Sequence, residues 1–258
     1  MKVLIVGDIF SKLGRASFER NLERIKEKEQ VDFLIVNGEN TSHGRGLNLN
    51  HYKWYMEKGV DVVTLGNHAY HNRAIFAFID AAENIVRPYN FPEGSPGKGF
   101  VTLKRKGLRI TVFQLIGKVF MNSEYGNPFK AAKEILDNVK SDIYICDFHG
   151  EATSEKIAFA HAFDGKIQII YGTHTHVQTN DARILENGTA YITDVGMTGA
   201  LDGVIGVKKD IIINRYLYDF TERFSPESAG KSQFNAILVE IDEHSKKPAK
   251  IDILNVIE

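Results

Sequence analysis

The sequence predicts a mixed α/β sandwich with its helices on the outside, and three features predict it. Short β-rich apolar runs alternate with amphipathic helical stretches at first, and later runs follow one another more closely. Several of these runs stop at a glycine followed by acids, amides or histidines, as strands do when their carboxyl ends open onto a shared cleft. No fixed-period repeat, low-complexity tract or dividing linker interrupts the chain, so residues 1–258 read as a single domain. The pattern leaves open whether the strands form one sheet or two.

Lys2 to Val6 is a β-branched run ending in Gly7-Asp8, a buried strand with an acid at its end. Phe18, Leu22 and Ile25 then recur at helical spacing among charged residues, giving an apolar stripe against a solvated face. Phe33 to Val36 is a second strand, ending in Asn37-Gly38-Glu39-Asn40. A glycine-bearing loop from Thr41 to Leu47 leads to a helix over about 50–58, with Tyr52, Tyr55 and Met56 inward. Val60 to Leu65 is a third strand and stops at Gly66-Asn67-His68. Ile75, Phe76 and Ile79 predict a helix over about 72–82, and the prolines and glycines of 88–99 mark a long turn region. Phe100 to Leu103 and Leu108 to Leu115 are two strands about a polar turn, and 127–139 is helical. Asp142 to Asp147 is a strand ending in Phe148-His149-Gly150-Glu151, with a helix over 154–163 after it. Ile167 to Ile170 leads to Tyr171-Gly172-Thr173-His174-Thr175-His176 on the loop past its end. Ala190 to Thr193 is a strand, and Phe234 to Ile241 with Ile251 to Ile257 forms a terminal pair.

The 43% hydrophobic and 25% charged composition is that of an ordinary globular protein. A net charge of -1 provides no general attraction to polyanions, so no dedicated nucleic-acid or membrane-coating surface is expected and any anionic ligand must be held locally. The single cysteine, Cys146, excludes an intramolecular disulfide and lies in an apolar strand, where a small buried thiol is expected rather than a nucleophile. Val3 to Val6 is cut off by Gly7-Asp8, so it is no signal segment, and no apolar run approaches the ~20 residues of a membrane helix. A cytoplasmic protein is expected.

The strand ends supply Asp8, Glu39, Asn40, Asn67, His68, His149, His174 and His176. Each segment alone is ambiguous, since one Gly-x-His-x-His serves equally well as a polar loop; five such endings together point to one site. Oxygen and imidazole donors without thiolate suit manganese, iron, zinc, nickel or cobalt rather than a structural zinc cluster. The donors are too many for one tetrahedral ion but enough for two sharing a carboxylate. Two ions about 3.5 to 4 Å apart are the arrangement that acts on phosphoryl groups.

The ordered set Gly-Asp, Gly-Glu-Asn, Gly-Asn-His, His-Gly and Gly-Thr-His-Thr-His resembles the calcineurin-like metallophosphoesterases. Gly7-Asp8-Ile9-Phe10, Asn37-Gly38-Glu39-Asn40-Thr41, Gly66-Asn67-His68, the stretch from His149 to Lys156 and Gly172-Thr173-His174-Thr175-His176 are similar to its bacterial YmdB-type branch, over essentially the whole chain. The resemblance implies a metallophosphoesterase-like β-sandwich of mixed sheets flanked by helices, a cyclic-nucleotide phosphodiesterase activity and a homo-oligomer. It also implies two divalent or mixed-valence metal ions, iron favoured over manganese or zinc. Carried over, the first ion is held by Asp8, Glu39, Asn40 and His176, the second by Glu39, Asn67, His149 and His174. A metal-activated hydroxide then attacks the phosphate, and His68 is the catalytic proton donor. Phe10 stands where the wider superfamily has a histidine ligand and Glu39 where it has a bridging aspartate; Asn40 is the expected substitute donor. Both departures match the narrower branch.

The substrate implied is a small cyclic nucleotide, 2',3'-cyclic ahead of 3',5'-cyclic, although a metal pair by itself distinguishes no class of phosphoester. A regulatory protein that binds metal and nucleotide without turnover is the alternative, against which the intact His68 stands. A serine hydrolase lacks a Gly-x-Ser-x-Gly elbow. His43, in the glycine-bearing loop with Arg45, reads equally well as a substrate contact or as an exposed polar residue, whereas His51, His161 and His244 read as structural or exposed. His71 is expected to start the following helix, Thr153 and Ser154 to contact phosphate or cap the helix after them, and Trp54 to pack.

Overall fold

The computed structural model describes residues 1–121 and 124–258. Its first strand, β1 (Lys2–Val6), sends alternate side chains to opposite faces, as the two-residue period of a strand requires. Val3 and Ile5 enter a core with Ile35, Val62, Ile110, Ile145 and Ile169, while Leu4 and Val6 meet Phe18, Leu22 and Tyr55. A strand buried on both faces reads as an unbroken apolar run, and so does its sequence.

The chain continues through β2 (Asp8–Ile9), α1 (Ser11–Glu29), β3 (Phe33–Asn37), α2 (Leu49–Glu57), β4 (Val62–Thr64) and β5 (Ile85–Val86). Then follow β6 (Phe100–Arg105), β7 (Leu108–Ile116), α3 (Pro128–Asn138), β8 (Ile143–His149), α4 (Thr153–Ala162) and β9 (Ile169–Thr173). The last part holds β10 (Arg183–Ile184), β11 (Ala190–Ile192), β12 (Met197–Ala200), α5 (Lys209–Tyr218), β13 (Ser232–Ile241) and β14 (Pro248–Ile257). Two mixed sheets result. One has the order β2-β12-β13-β1-β3-β4-β5 with β14 beside β13, the other β10-β11-β9-β8-β7-β6. The sheets enclose one core between them; α1 and α2 cover the outer face of the first, and α3 and α4 pack on Phe113, Cys146 and Phe148 of the second.

The helix expected over 72–82 is instead a short 3₁₀ turn, Arg73–Ala77. Asn72 caps it by accepting from the Ala74 N–H, and Phe78 leaves helical geometry at φ -143°, so the i→i+4 bonds from Ile79 N–H to Ile75 and from Ala82 N–H to Phe78 remain separate turns and no continuous α-helix forms. His71 lies in the turn before it, not at a helix start. α5 and the two-residue strands β2, β5 and β10, like the four-residue β12, were not read from the sequence: such short strands are too brief for a period to show.

Parallel pairing sets the functional edge. Val6 lies beside Val36, Asn37 beside Thr64, and His149 beside Thr173, so β1, β3, β4, β8 and β9 all run toward the same end.

Candidate metal centre

All eight residues singled out at the strand ends come together. Glu39 Oε1 lies 3.3 Å from His149 Nε2, and Glu39 Oε2 accepts a 2.9 Å bond from the His68 backbone N–H. Asn67 Oδ1 is 2.8 Å and His174 Nδ1 3.1 Å from His149 Nε2. His176 Nε2 faces Asp8 Oδ1 at 3.7 Å, and Asn40 Nδ2 reaches His68 Nδ1 at 3.0 Å. Donor atoms of Glu39, His149 and His174 form one group within 4.8 Å of one another, those of Asp8, Glu39 and His176 a second, with Glu39 common to both. Asp8, Glu39, His149 and His176 are buried, whereas the side chains of His68 and His174 are 23% and 20% exposed and so face the opening.

Hydrogen bonds on the far side of each ring set which nitrogen is presented. Thr173 Oγ1 donates to Asp147 Oδ1 at 2.6 Å and can therefore accept from His149 Nδ1–H at 2.9 Å, which leaves the His149 Nε2 lone pair turned inward. His176 Nδ1–H donates to the Ile205 carbonyl at 2.9 Å and frees Nε2 toward Asp8. His174 Nε2 pairs with Glu151 Oε2 at 3.1 Å and frees Nδ1. Asn67 Oδ1 and His174 Nδ1 are then two acceptors set against a third, His149 Nε2, with no proton between. Around an ion bound at about 2.0 to 2.1 Å, neighbouring donors take spacings of this order.

Unpartnered atoms point the same way. Both carboxylate oxygens of Asp8 and Oδ1 of Asn40 are buried without a hydrogen bond among the described residues. Buried polar atoms are seldom left so, because the cost of desolvation is uncompensated. Burial first, and then the charge of Asp194, raises Asp8 to about 8; burial and the charge of Asp8 push Glu39 well above the usual carboxylate range. Burial likewise depresses His149, with the neighbouring His174 adding to it. Divalent cations bring positive charge and reverse this pKa logic, so the donor set fits divalent metal.

Asn40 uses Nδ2 for both the Gly44 carbonyl (3.0 Å) and His68 Nδ1, so the neutral His68 ring accepts at Nδ1 and carries its proton on Nε2. Burial first, then His71 and Arg45, lowers His68 to about 3. Phe10 sets its ring edge against His176, with 5.6 Å between centroids, and so packs a ligand candidate instead of adding one.

The backbone makes room for this crowding. A Cβ on Gly66 would run into Glu39 Oε2 and His149 Nε2. His174 and His176 adopt φ of 97° and 67°, a region disfavoured for residues with a side chain. Asp194 holds their loop, accepting from Thr175 N–H (3.1 Å), Thr175 Oγ1 (2.8 Å) and Lys156 Nζ (2.8 Å); Lys156 Nζ also donates to the Thr173 carbonyl at 2.8 Å.

Asp147, Thr173, Asp194 and Lys156 were not assigned a role from the sequence. The signal was present for Asp194, which follows an apolar strand just as Asp8 does. Thr153 and Ser154 lie inside the first turn of α4 and do not cap it, since its N-cap Ala152 has no side-chain hydrogen bond to offer. Trp54 packs on Phe18 and Tyr55, and Cys146 is buried, as expected.

Residues 4–254 match the family model described as YmdB-like protein. The chain is 42% identical, over 254 residues covering 98% of it and 96% of the relative, to a 2',3'-cyclic-nucleotide 2'-phosphodiesterase of Bacillus subtilis (strain 168). Among solved structures it is similar to one titled a novel phosphatase, from Mycoplasma pneumoniae, with a TM-score of 0.96 and 37% identity over 100% of this chain and 93% of that one. A hypothetical protein from Thermus thermophilus superposes with a TM-score of 0.94 at 38% identity, over 100% of both chains.

Proposed function

Because the chain belongs to the YmdB-like protein family, we propose that it is a dinuclear metal-dependent phosphodiesterase opening small cyclic nucleotides, 2',3'-cyclic ahead of 3',5'-cyclic. The observation that carries this reading is the buried Glu39 carboxylate, common to two groups of donors beside the unpartnered oxygens of Asp8 and Asn40. In the proposed assignment Asp8, Glu39, Asn40 and His176 hold one ion, and Glu39, Asn67, His149 and His174 the other, with iron the favoured metal. When bound, such a pair supplies an activated water and charge stabilisation for a phosphoryl group.

The chain's own part centres on His68. Its backbone N–H is fixed to Glu39 and its Nδ1 to Asn40, so the ring has little freedom and its Nε2 side is left for substrate. In the free site the ring is neutral. An anionic phosphate brought against Nε2 favours the imidazolium, whose second proton on Nδ1 displaces the Asn40 amide bond, and that form is able to pass its Nε2 proton to the departing oxygen. The reading also takes residues 1–258 as one domain of a cytoplasmic homo-oligomer; no helix of the described residues is long and apolar enough to cross a membrane.

Hydrolysis of a panel of cyclic and linear phosphate esters by loaded protein, metal-stripped protein and His68→Ala tests it. Expected are turnover of 2',3'-cyclic nucleotides only when loaded, and a fall of about 10²- to 10⁴-fold in kcat for His68→Ala. Elemental analysis should give about two ions per chain, by the two-metal logic, and loss of metal in Glu39→Ala. Tight nucleotide binding with no turnover above the stripped control would instead mark a sensor.

A further inference from the structure

Arg45 and Arg215 converge on one phenyl ring. The guanidinium carbon of Arg45 lies 5.9 Å from the centroid of Phe224 and that of Arg215 5.4 Å from the same centroid. Both arginines are exposed, Phe224 is 38% exposed, and neither guanidinium has an ion pair among the described residues. Both positive charges thus lie within 6 Å of one aromatic centroid, and an anion that reaches the two guanidiniums is attracted by each. Seated on an aromatic face, a guanidinium still has its N–H fork free for phosphate.

The ring is built directly off the metal centre. Arg45 stands between Gly44 and Gly46, at φ of 85° and 77°. Their backbone is tied to the Asn40 side chain through the Gly44 carbonyl and to the Glu39 carbonyl through the Gly46 N–H. A Cβ on Gly44 would lie 2.9 Å from Phe10 Cζ and 3.4 Å from Pro226 Cγ, so this loop presses on the ring that packs against His176 and on the segment carrying Phe224. That segment is joined by Glu227 N–H to the Gly206 carbonyl (2.9 Å), next to Ile205, whose carbonyl orients His176. The pair of arginines therefore stands beside the metal centre without belonging to it.

A chain with a net charge of -1 attracts anions only through such local features. The metal centre accounts for the phosphate being cleaved, so unpaired guanidiniums outside it fit a different anionic group. We propose that Arg45 and Arg215, braced on Phe224, bind a second phosphate of the substrate, so that the site prefers a nucleoside 2',3'-cyclic phosphate that also carries a 5'-phosphate. This rests on the phosphodiesterase reading. The 5'-phosphate can belong to a free mononucleotide or to the link in an oligonucleotide ending in a cyclic phosphate.

Steady-state kinetics on adenosine 2',3'-cyclic phosphate, its 5'-phosphorylated form and an adenosine dinucleotide ending in a 2',3'-cyclic phosphate tests the proposal in manganese-loaded protein. Calorimetry with adenosine 3',5'-bisphosphate and adenosine 3'-monophosphate gives a readout independent of turnover. The expected result is a KM at least tenfold lower for the substrates with the second phosphate, and bisphosphate binding at least tenfold tighter than monophosphate binding. Both ratios should fall toward one in Arg45→Ala, less so in Arg45→Lys, and also in Phe224→Leu. A terminal 5'-phosphate preferred over the dinucleotide assigns the mononucleotide as source, and the reverse order assigns the oligonucleotide end. Wild-type ratios near one, or equal weakening of both ligands in Arg45→Ala, overturn the proposal. Arg45-dependent preference for the bisphosphate with no turnover of any substrate overturns the phosphodiesterase reading and leaves the clamp standing; turnover without the preference does the opposite.

Discussion

Lys156 and Asp194 form an ion pair of 2.8 Å with both side chains only 1% exposed, and it lies directly behind the loop that carries His174 and His176. The ammonium also donates to Thr173, and the carboxylate also accepts twice from Thr175, so the pair binds both flanks of His174. It is a device for keeping two histidines in backbone conformations they would not choose.

Replacing one partner leaves the other charged and buried. Lys156→Met is therefore expected to lose about 3 to 5 kcal/mol in urea denaturation. Because His174 loses its support, metal affinity should also fall by about 10- to 100-fold in calorimetry. A stable variant with unaltered metal affinity would remove the pair from any part in positioning.

Gly66 leaves open the space that a methyl group would take from Glu39 and His149. Gly66→Ala should cost about 1 to 3 kcal/mol from overpacking. Its more telling effect is expected in elemental analysis, with fewer than two ions retained on the two-metal reading. Full occupancy in the variant would mean that Glu39 and His149 do not hold an ion between them.

Metal should stabilise the protein markedly, since buried carboxylate oxygens stand unpartnered without it. At a free concentration 100 times Kd, each ion contributes about 2.7 kcal/mol. At about 2 to 4 °C per kcal/mol for a chain near this size, Tm should rise by roughly 5 to 10 °C per ion on adding manganese to stripped protein. A scan that does not move contradicts the metal assignment.

His51 offers a pH test away from the metal centre. Burial first, then the charges of Arg15 and His43, lowers it to about 4, and Nδ1 rests 2.8 Å from Ser42 Oγ. Unfolding lets the ring take up a proton below about 6.5. Its contribution to stability is thus complete above that pH and lost as pH falls toward 4. Urea midpoints should decline between pH 7 and 4.5 more steeply for wild type than for His51→Gln; parallel declines would count against this role.

The strand endings were legible because a buried strand leaves an apolar run in the sequence, and a glycine with a polar residue after it breaks that run visibly. Asp8, Glu39, Asn67, His149 and His174 were found this way, and the order of their motifs pointed to the family. Short elements were not legible: β2 and β5 have two residues each and owe their pairing to neighbours, while the 72–82 helix expected from Ile75 and Ile79 gave way to a 3₁₀ turn.

From the sequence alone came the identity of the chemical groups and their likeness to a phosphoesterase set, because residue type and local period are properties of the chain taken one segment at a time. Tertiary structure decided which nitrogen each histidine presents, which carboxylate is common to both donor groups, and that Lys156 closes on Asp194. Those depend on hydrogen bonds and burial between segments far apart in the chain, such as Thr173 with Asp147 or His176 with Ile205, and no local pattern encodes them.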